Sequence, residues 1–276
     1  ARHLYRKDDG SRMLALLDAG EGGFGHGDLA RTPLFESVAG EGLVLACQLR
    51  LAETLAHQPA ARHLLANLLR RADTFVPSPK PTPMIAGEQT ELQSMLRWAA
   101  AGGTVVLDIE SPAQVSALGA ALGIPLTAVA GEPAYQAVRV TPDPVLDGIG
   151  NEDTCGITTW TYAPAANRNT PIGSVFLRPT ESLEVLLQTP TQSCLRELFV
   201  EGGKTEPLRA HTLSRFLHAE KPEPLAVLAR LRHGDGQILL QAFHPTEAVH
   251  PGLGRYRNRL LANLGRPSTG SLLDGK

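Results

Sequence analysis

The side chains best suited to meeting a ligand are Trp160, Tyr162, Arg168, Arg196, Arg209, His211 and Arg215, gathered in one irregular stretch of the chain. An indole or phenol ring gives the C–H face of a sugar an apolar platform, and planar guanidinium groups donate paired hydrogen bonds to hydroxyls. The same residues have a plainer use. Trp160 and Tyr162 can fill a core edge while the arginines pair with Glu197, Glu201 and Glu206. The plainer use is favoured, and a carbohydrate-binding role for Trp160, Tyr162, Arg168, Arg196, Arg209 and His211 stands as the alternative.

Other spacings that could carry chemistry fail on their surroundings. Glu181 and Glu184 could act as an acid and a base on a glycoside, but they read as solvated carboxylates of one short helix. Such neighbours lie too close to serve opposite faces of a sugar ring. Gly20-Glu21-Gly22-Gly23-Phe24-Gly25 satisfies a dinucleotide fingerprint after the strand-like Met13–Ala19, yet Pro33 arrives before any helix could hold a pyrophosphate. Gly203-Lys204-Thr205 imitates the end of a P-loop, but Leu198 stands where its first glycine is required. No metal site or cofactor is expected, since Cys47, Cys155 and Cys194 are far apart with no paired spacing.

Those residues must be positioned by elements, and the elements contain a repeat. Residues 40–49 (GEGLVLACQL) and 234–243 (GDGQILLQAF) each set a Gly-acid-Gly turn before an apolar run short enough to be a buried strand. About two dozen residues later, Leu64-Leu65-Ala66-Asn67-Leu68 recurs as Leu260-Leu261-Ala262-Asn263-Leu264. Duplication predicts equivalent central strands at Val44–Cys47 and Ile238–Gln241, each followed by a helix, about Pro59–Arg71 and Arg255–Leu264. Asn67 and Asn263 should then sit alike near their helix ends, where an amide can satisfy a carbonyl.

Between the copies, Pro77-Ser78-Pro79-Lys80-Pro81-Thr82-Pro83 excludes helix and central strand and reads as a linker. Leu92, Met95, Leu96 and Ala99 form the apolar stripe of a helix over residues 88–101, which Gly102-Gly103 ends. A strand at Thr104–Ile109 follows. Ser111 then caps a helix with Pro112 at its first position, running through Val115, Leu118 and Leu122 to Gly123. This alternation is the rhythm of a parallel sheet with helices on both faces. Residues 124–233 are less regular and read as longer loops and edge strands.

Composition narrows the partners. The net charge of −2 and the scattered Lys and Arg residues leave no basic footprint for nucleic acid. No run approaches the roughly 20 apolar residues of a membrane span. The 42% hydrophobic content is ample for a packed core. Ala1 stands where an initiator Met would, so a leader could have been removed and the compartment is left open.

Several of these pieces together resemble a known family. The helix leading into Gly102-Gly103-Thr104-Val105-Val106-Leu107, the segment Asp143-Pro144-Val145-Leu146-Asp147-Gly148-Ile149, and the closing strand with its Arg257–Gly265 helix resemble class I glutamine-amidotransferase-like domains. They are most similar to the tandem copies at the C-terminal end of some family 2, β-galactosidase-like glycoside hydrolases. The resemblance covers about Met84 to Gly265, with residues 1–72 matching only the last part of a first copy.

The resemblance implies a flavodoxin-like α/β fold: a three-layer parallel sheet with helices on both faces, one copy partial and one near-complete. Its parts would be residues 1–72, a linker at 73–83, a second domain at 84–267 and a tail at 268–276. It further implies a non-catalytic accessory or assembly region of a larger hydrolase of carbohydrate metabolism, whose catalytic carboxylates lie in an upstream barrel. The partners implied are upstream domains of the same polypeptide, with carbohydrate and a homo-oligomer as further candidates.

The family's glutaminase needs a cysteine at a sharp strand-to-helix elbow. None of Cys47, Cys155 and Cys194 has those neighbours. Phe243-His244-Pro245-Thr246-Glu247 resembles the family's His-Pro-Glu segment, but His and Glu stand three apart rather than two and would face opposite ways on extended backbone. It reads as a loop remnant.

Overall fold

The computed structural model describes residues 4–10, 12–19, 31–76, 82–88, 90–150, 153–156, 171–190, 223–244 and 251–265. They form two sheets with helices, a mixed α/β architecture. The first sheet is wholly antiparallel, with β3 (Arg31–Ala39) pairing β1 (Tyr5–Arg6), β2 (Met13–Ala19) and β4 (Gly42–Cys47). A short helix α1 (Leu51–Thr54) leads into α2 (Pro59–Asp73), which Pro59 opens at its first position. Near the C-terminal end of α2, Arg71 forks onto the buried carboxylate of Glu36 at 3.0 and 2.9 Å.

The second sheet holds the core. Its three parallel neighbours are β5 (Met84–Ala86), β6 (Thr104–Asp108) and β12 (Gly236–Gln241), with β6 in the middle. Between β5 and β6 runs α3 (Leu92–Ala100), which buries Met95, Leu96 and Ala99. After β6 comes α4 (Pro112–Leu122), where Ser111 Oγ accepts the backbone N–H of Gln114 as the cap requires. The sheet continues from β12 into antiparallel β11 (Ala226–His233), β10 (Glu184–Gln188) and β8 (Val138–Arg139), while β7 (Ala128–Ala134) pairs β9 (Gly173–Leu177). A 3₁₀ turn at Pro144–Leu146 lies under the last helix, α5 (Pro251–Asn263). No helix among the described residues is long and apolar enough to cross a membrane.

Three expectations are corrected here. The sheet is parallel only across β5, β6 and β12, because Gly40-Glu41 and Gly234-Asp235 are two-residue hairpin turns that can join strands only in antiparallel fashion. Gly40 (φ 61°) and Gly234 (φ 57°) supply the left-handed backbone that such turns demand. The described part of residues 124–233 is also not all loops and edges: Ala226–Leu231 of β11 is a buried internal strand. Finally, Glu181 sits in a turn and Glu184 opens β10, so the pair is not on a helix.

The repeat survives as order and not as environment. Hairpin, strand, connection and helix recur, with β4 preceding α2 as β12 precedes α5. Yet β12 lies between β6 and β11 with Ile238, Leu239 and Leu240 fully buried, whereas β4 pairs only with β3 among the described residues and is half-exposed. Among the described residues, no strand beside β4 plays the part of β6.

The two asparagines diverge for the same reason. Asn263 is buried and donates from Nδ2 to the carbonyls of Val145 and Asp147 at 2.9 and 2.8 Å, so it ties α5 to the 3₁₀ turn. Asn67 is exposed and accepts only a 3.4 Å contact from Arg70. Asn263→Ala should therefore cost about 1–3 kcal/mol by stranding two carbonyls. Asn67→Ala should stay within about 0.5 kcal/mol. Urea unfolding of both variants checks the contrast, and equal effects would count against it.

Residues 1–72 are expected to lean on the rest of the chain or to be poorly ordered, and their described part touches it at two places. Asn258 Nδ2 donates to the carbonyl of Asp9 at 3.0 Å, and Leu14 packs directly on Gly148. Half-buried Arg259 donates to Asn263 Oδ1 at 3.0 Å. Burial lowers its pKa from the usual guanidinium value, an effect that the nearby carboxylates of Asp8, Glu36 and Asp147 oppose.

Candidate functional site

Parallel pairing brings the carboxyl ends of β5, β6 and β12 to one edge of the sheet, the edge where open α/β sheets collect ligands. In register, Asp108 at the end of β6 faces Gln241 at the end of β12, and Ile109 N–H donates to the Gln241 carbonyl at 2.8 Å. Just beyond these residues is a crevice of about 400 Å³ lined by Ile109, Glu110, Pro171, Gly173, Ser174, Val175 and His244.

Its walls are braced by the backbone. Gln114 on the first turn of α4 spans the β6–α4 connection, donating from Nε2 to the Asp108 carbonyl at 2.9 Å and accepting Glu110 N–H at 2.9 Å. On the other wall, His244 N–H donates to the Ile172 carbonyl at 2.6 Å. Gly173 makes this approach possible, since a Cβ there would collide with the Ala242 carbonyl oxygen. The side chains of Glu110 and Ser174 are open to solvent, and His244 is half-buried.

Behind the crevice stands a polar cluster. Asp108 accepts from Gln241 Nε2 at 3.1 Å and from Arg257 Nη2 at 2.8 Å. Tyr256 stacks on Phe243 with ring centroids 4.0 Å apart, fully buried. Burial, followed by the charge of Asp108, pushes its phenol far above the ordinary range, so it stays protonated. Three buried atoms at this end of the molecule have no hydrogen-bond partner among the described residues: Gln241 Oε1, Tyr256 Oη and His244 Nε2.

Of the residues singled out in the sequence, the crevice takes His244, though not in the pattern that drew attention to it, because Thr246 and Glu247 lie outside the described residues. Trp160, Tyr162, Arg168, Arg196, Arg209, His211 and Arg215 also lie outside them, as do Cys194, the Gly20–Gly25 loop and Gly203–Thr205. Cys155 is buried beside the bridge between its own backbone and Gln136, and Cys47 is half-buried at the end of β4. Neither lines the crevice. Sequence reasoning missed Glu110 and Ser174, whose only signal was their place at the ends or edges of apolar strands.

Among the described residues, no cluster of three His, Cys, Asp or Glu side chains could hold a metal ion. No family model matches the chain, and no curated protein matches it.

Proposed function

We propose that this chain is a non-catalytic accessory or assembly region of a larger glycoside hydrolase, built on a degenerate class I glutamine-amidotransferase-like fold. In this reading β5, α3, β6, α4, β12 and α5 form the flavodoxin-like part of a near-complete copy, and residues 1–72 are the remainder of a partial one. The observation that carries it is the connection after β6. Ile109-Glu110-Ser111-Pro112 leads from strand to helix there, with no thiol at the position where the active fold carries its nucleophile. On α5, Asn258 bonds the Asp9 carbonyl and the Arg255 carbonyl packs on Gly10, contacts that favour a packing role over an isolated catalytic one.

The purified chain should release no ammonia from glutamine above background, and Cys47→Ala, Cys155→Ala and Cys194→Ala should leave that background unchanged. Glutamine hydrolysis abolished by any one of the three would sink the reading. The parent assignment has its own test in the open reading frame upstream. It should encode a barrel bearing two well-separated glutamates, and a frame without one removes the hydrolase assignment.

A further inference from the structure

We propose that the outer face of α2 pairs with the same face of a second copy of this chain, antiparallel across a two-fold axis. Ala66 and Leu69 form the centre of the contact, and Arg62 meets Asp73 of the other copy at each end. This pairing does not depend on the glycoside-hydrolase reading. It starts from what α2 turns inward: Ala61 is buried, Leu64 and Leu68 are half-buried, and Arg71 reaches Glu36 in the first sheet. Arg62, Ala66, Leu69 and Asp73 stand about 150° round the helix from that side, at about 100° per residue. All four are exposed, Leu69 to 62%. Covering such a leucine removes apolar surface from water, which favours association.

The order of the four residues selects the occupant. Arg62 and Asp73 lie about 16 Å apart along the axis, too far to pair within one helix. The steps from Arg62 to Ala66, Leu69 and Asp73 read the same in either direction, so the row is complementary to itself when reversed. In an antiparallel pair each Arg62 meets the Asp73 of the other copy, and each Ala66 meets the Leu69 of the other copy. Every contact is made twice, as a two-fold interface requires. A small residue opposite a large one lets the helices approach to about 8–10 Å. Half-buried Leu65 falls on one flank, where it meets its own counterpart across the axis. The Arg70 side chains fall on the other flank, exposed, each contacting its own Asn67 at 3.4 Å. The end pairs fix direction and register, while the leucines supply the burial. One pair of helices about 22 Å long buries less than the roughly 1,200 Å² at which standard interfaces begin, so the dimer is a weak one.

The test is sedimentation equilibrium of the full chain over about 5–500 μM. The average mass should rise from that of one chain toward that of two, with a dissociation constant on the order of 100 μM. Leu69→Asp should keep the chain monomeric throughout and, at an exposed position, leave the thermal midpoint in place. Arg62→Glu and Asp73→Lys should each weaken the dimer about tenfold or more, because each sets two like-charged pairs across the axis. Mixed in equal amounts, these two variants should associate about as tightly as the parent, since the mixture restores opposite charges at both ends. Should Leu69→Asp lower the midpoint, the charge variants alone decide. A parent chain that stays monomeric at every concentration, association that survives in a folded Leu69→Asp, or a mixture no tighter than its separate components would each overturn the pairing.

Discussion

Arg255→Ala is expected to destabilise the protein by about 3–5 kcal/mol, the range for breaking a buried ion pair from one side. Arg255 Nε lies 2.9 Å from Asp153 Oδ1, and the two side chains are 8% and 4% exposed, so the carboxylate left behind could not recover its solvation. Asp153 also accepts Gly150 N–H at 2.9 Å, which means the loss would loosen the loop that α5 rests on. The Arg255 carbonyl is packed against Gly10, carrying the disturbance into the first sheet. Urea unfolding should show a lower midpoint with an unchanged slope. Removing both charges, as Arg255→Met with Asp153→Leu, should restore most of the loss, because the penalty belongs to the stranded charge. A single variant within about 1 kcal/mol of the parent would show that the pair is solvated and exchangeable.

Such long-range pairs mark the boundary of what could be read from the sequence. The helix at Leu92–Ala100, the strand at Thr104–Asp108 and the Ser111-capped helix were legible because apolar spacing, a β-branched run and a cap residue are local signals. The strand Ala226–His233 was not legible as an internal one. Arg230 interrupts its apolar run, and the carboxylates that neutralise it, Asp143 and Glu184, stand 87 and 46 residues away.

The Gly-acid-Gly repeats announced turns correctly, yet the direction of pairing was misread. Two turn residues between two apolar runs was already a hairpin signal. In the crevice, His244 drew attention through an imperfect local pattern. Glu110 carried only the signal of its place after an apolar strand, because the crevice it shares with the histidine depends on the parallel register of β6 with β12.

Arg230→Leu should show the largest pH-dependent effect. Arg230 reaches Asp143 at 2.8 Å and Glu184 at 3.0 Å from the middle of a buried strand, and its own side chain is 8% exposed. Burial works to raise the pKa of Asp143, but hydrogen bonds from Arg230 and the Val145 N–H, with the charges of Arg230 and Arg232, outweigh it and hold the carboxyl below its ordinary value. A carboxylate depressed in the folded state contributes stability that is present above its unfolded pKa, near 4, and is lost as pH falls through the folded value. Removing Arg230 strands Asp143, which is 10% exposed, so the cost at neutral pH should be about 3 kcal/mol or more. The variant's Asp143 would then titrate upward, because burial would be opposed only by the Val145 N–H and the charge of Arg232. Its deficit against the parent should narrow as pH is lowered through the carboxylate range, where protonation removes the stranded charge. Chemical unfolding at a series of pH values reads this directly. A deficit that stays constant from neutral to acid pH would mean that Arg230 acts through packing, with the Asp143 charge playing no part.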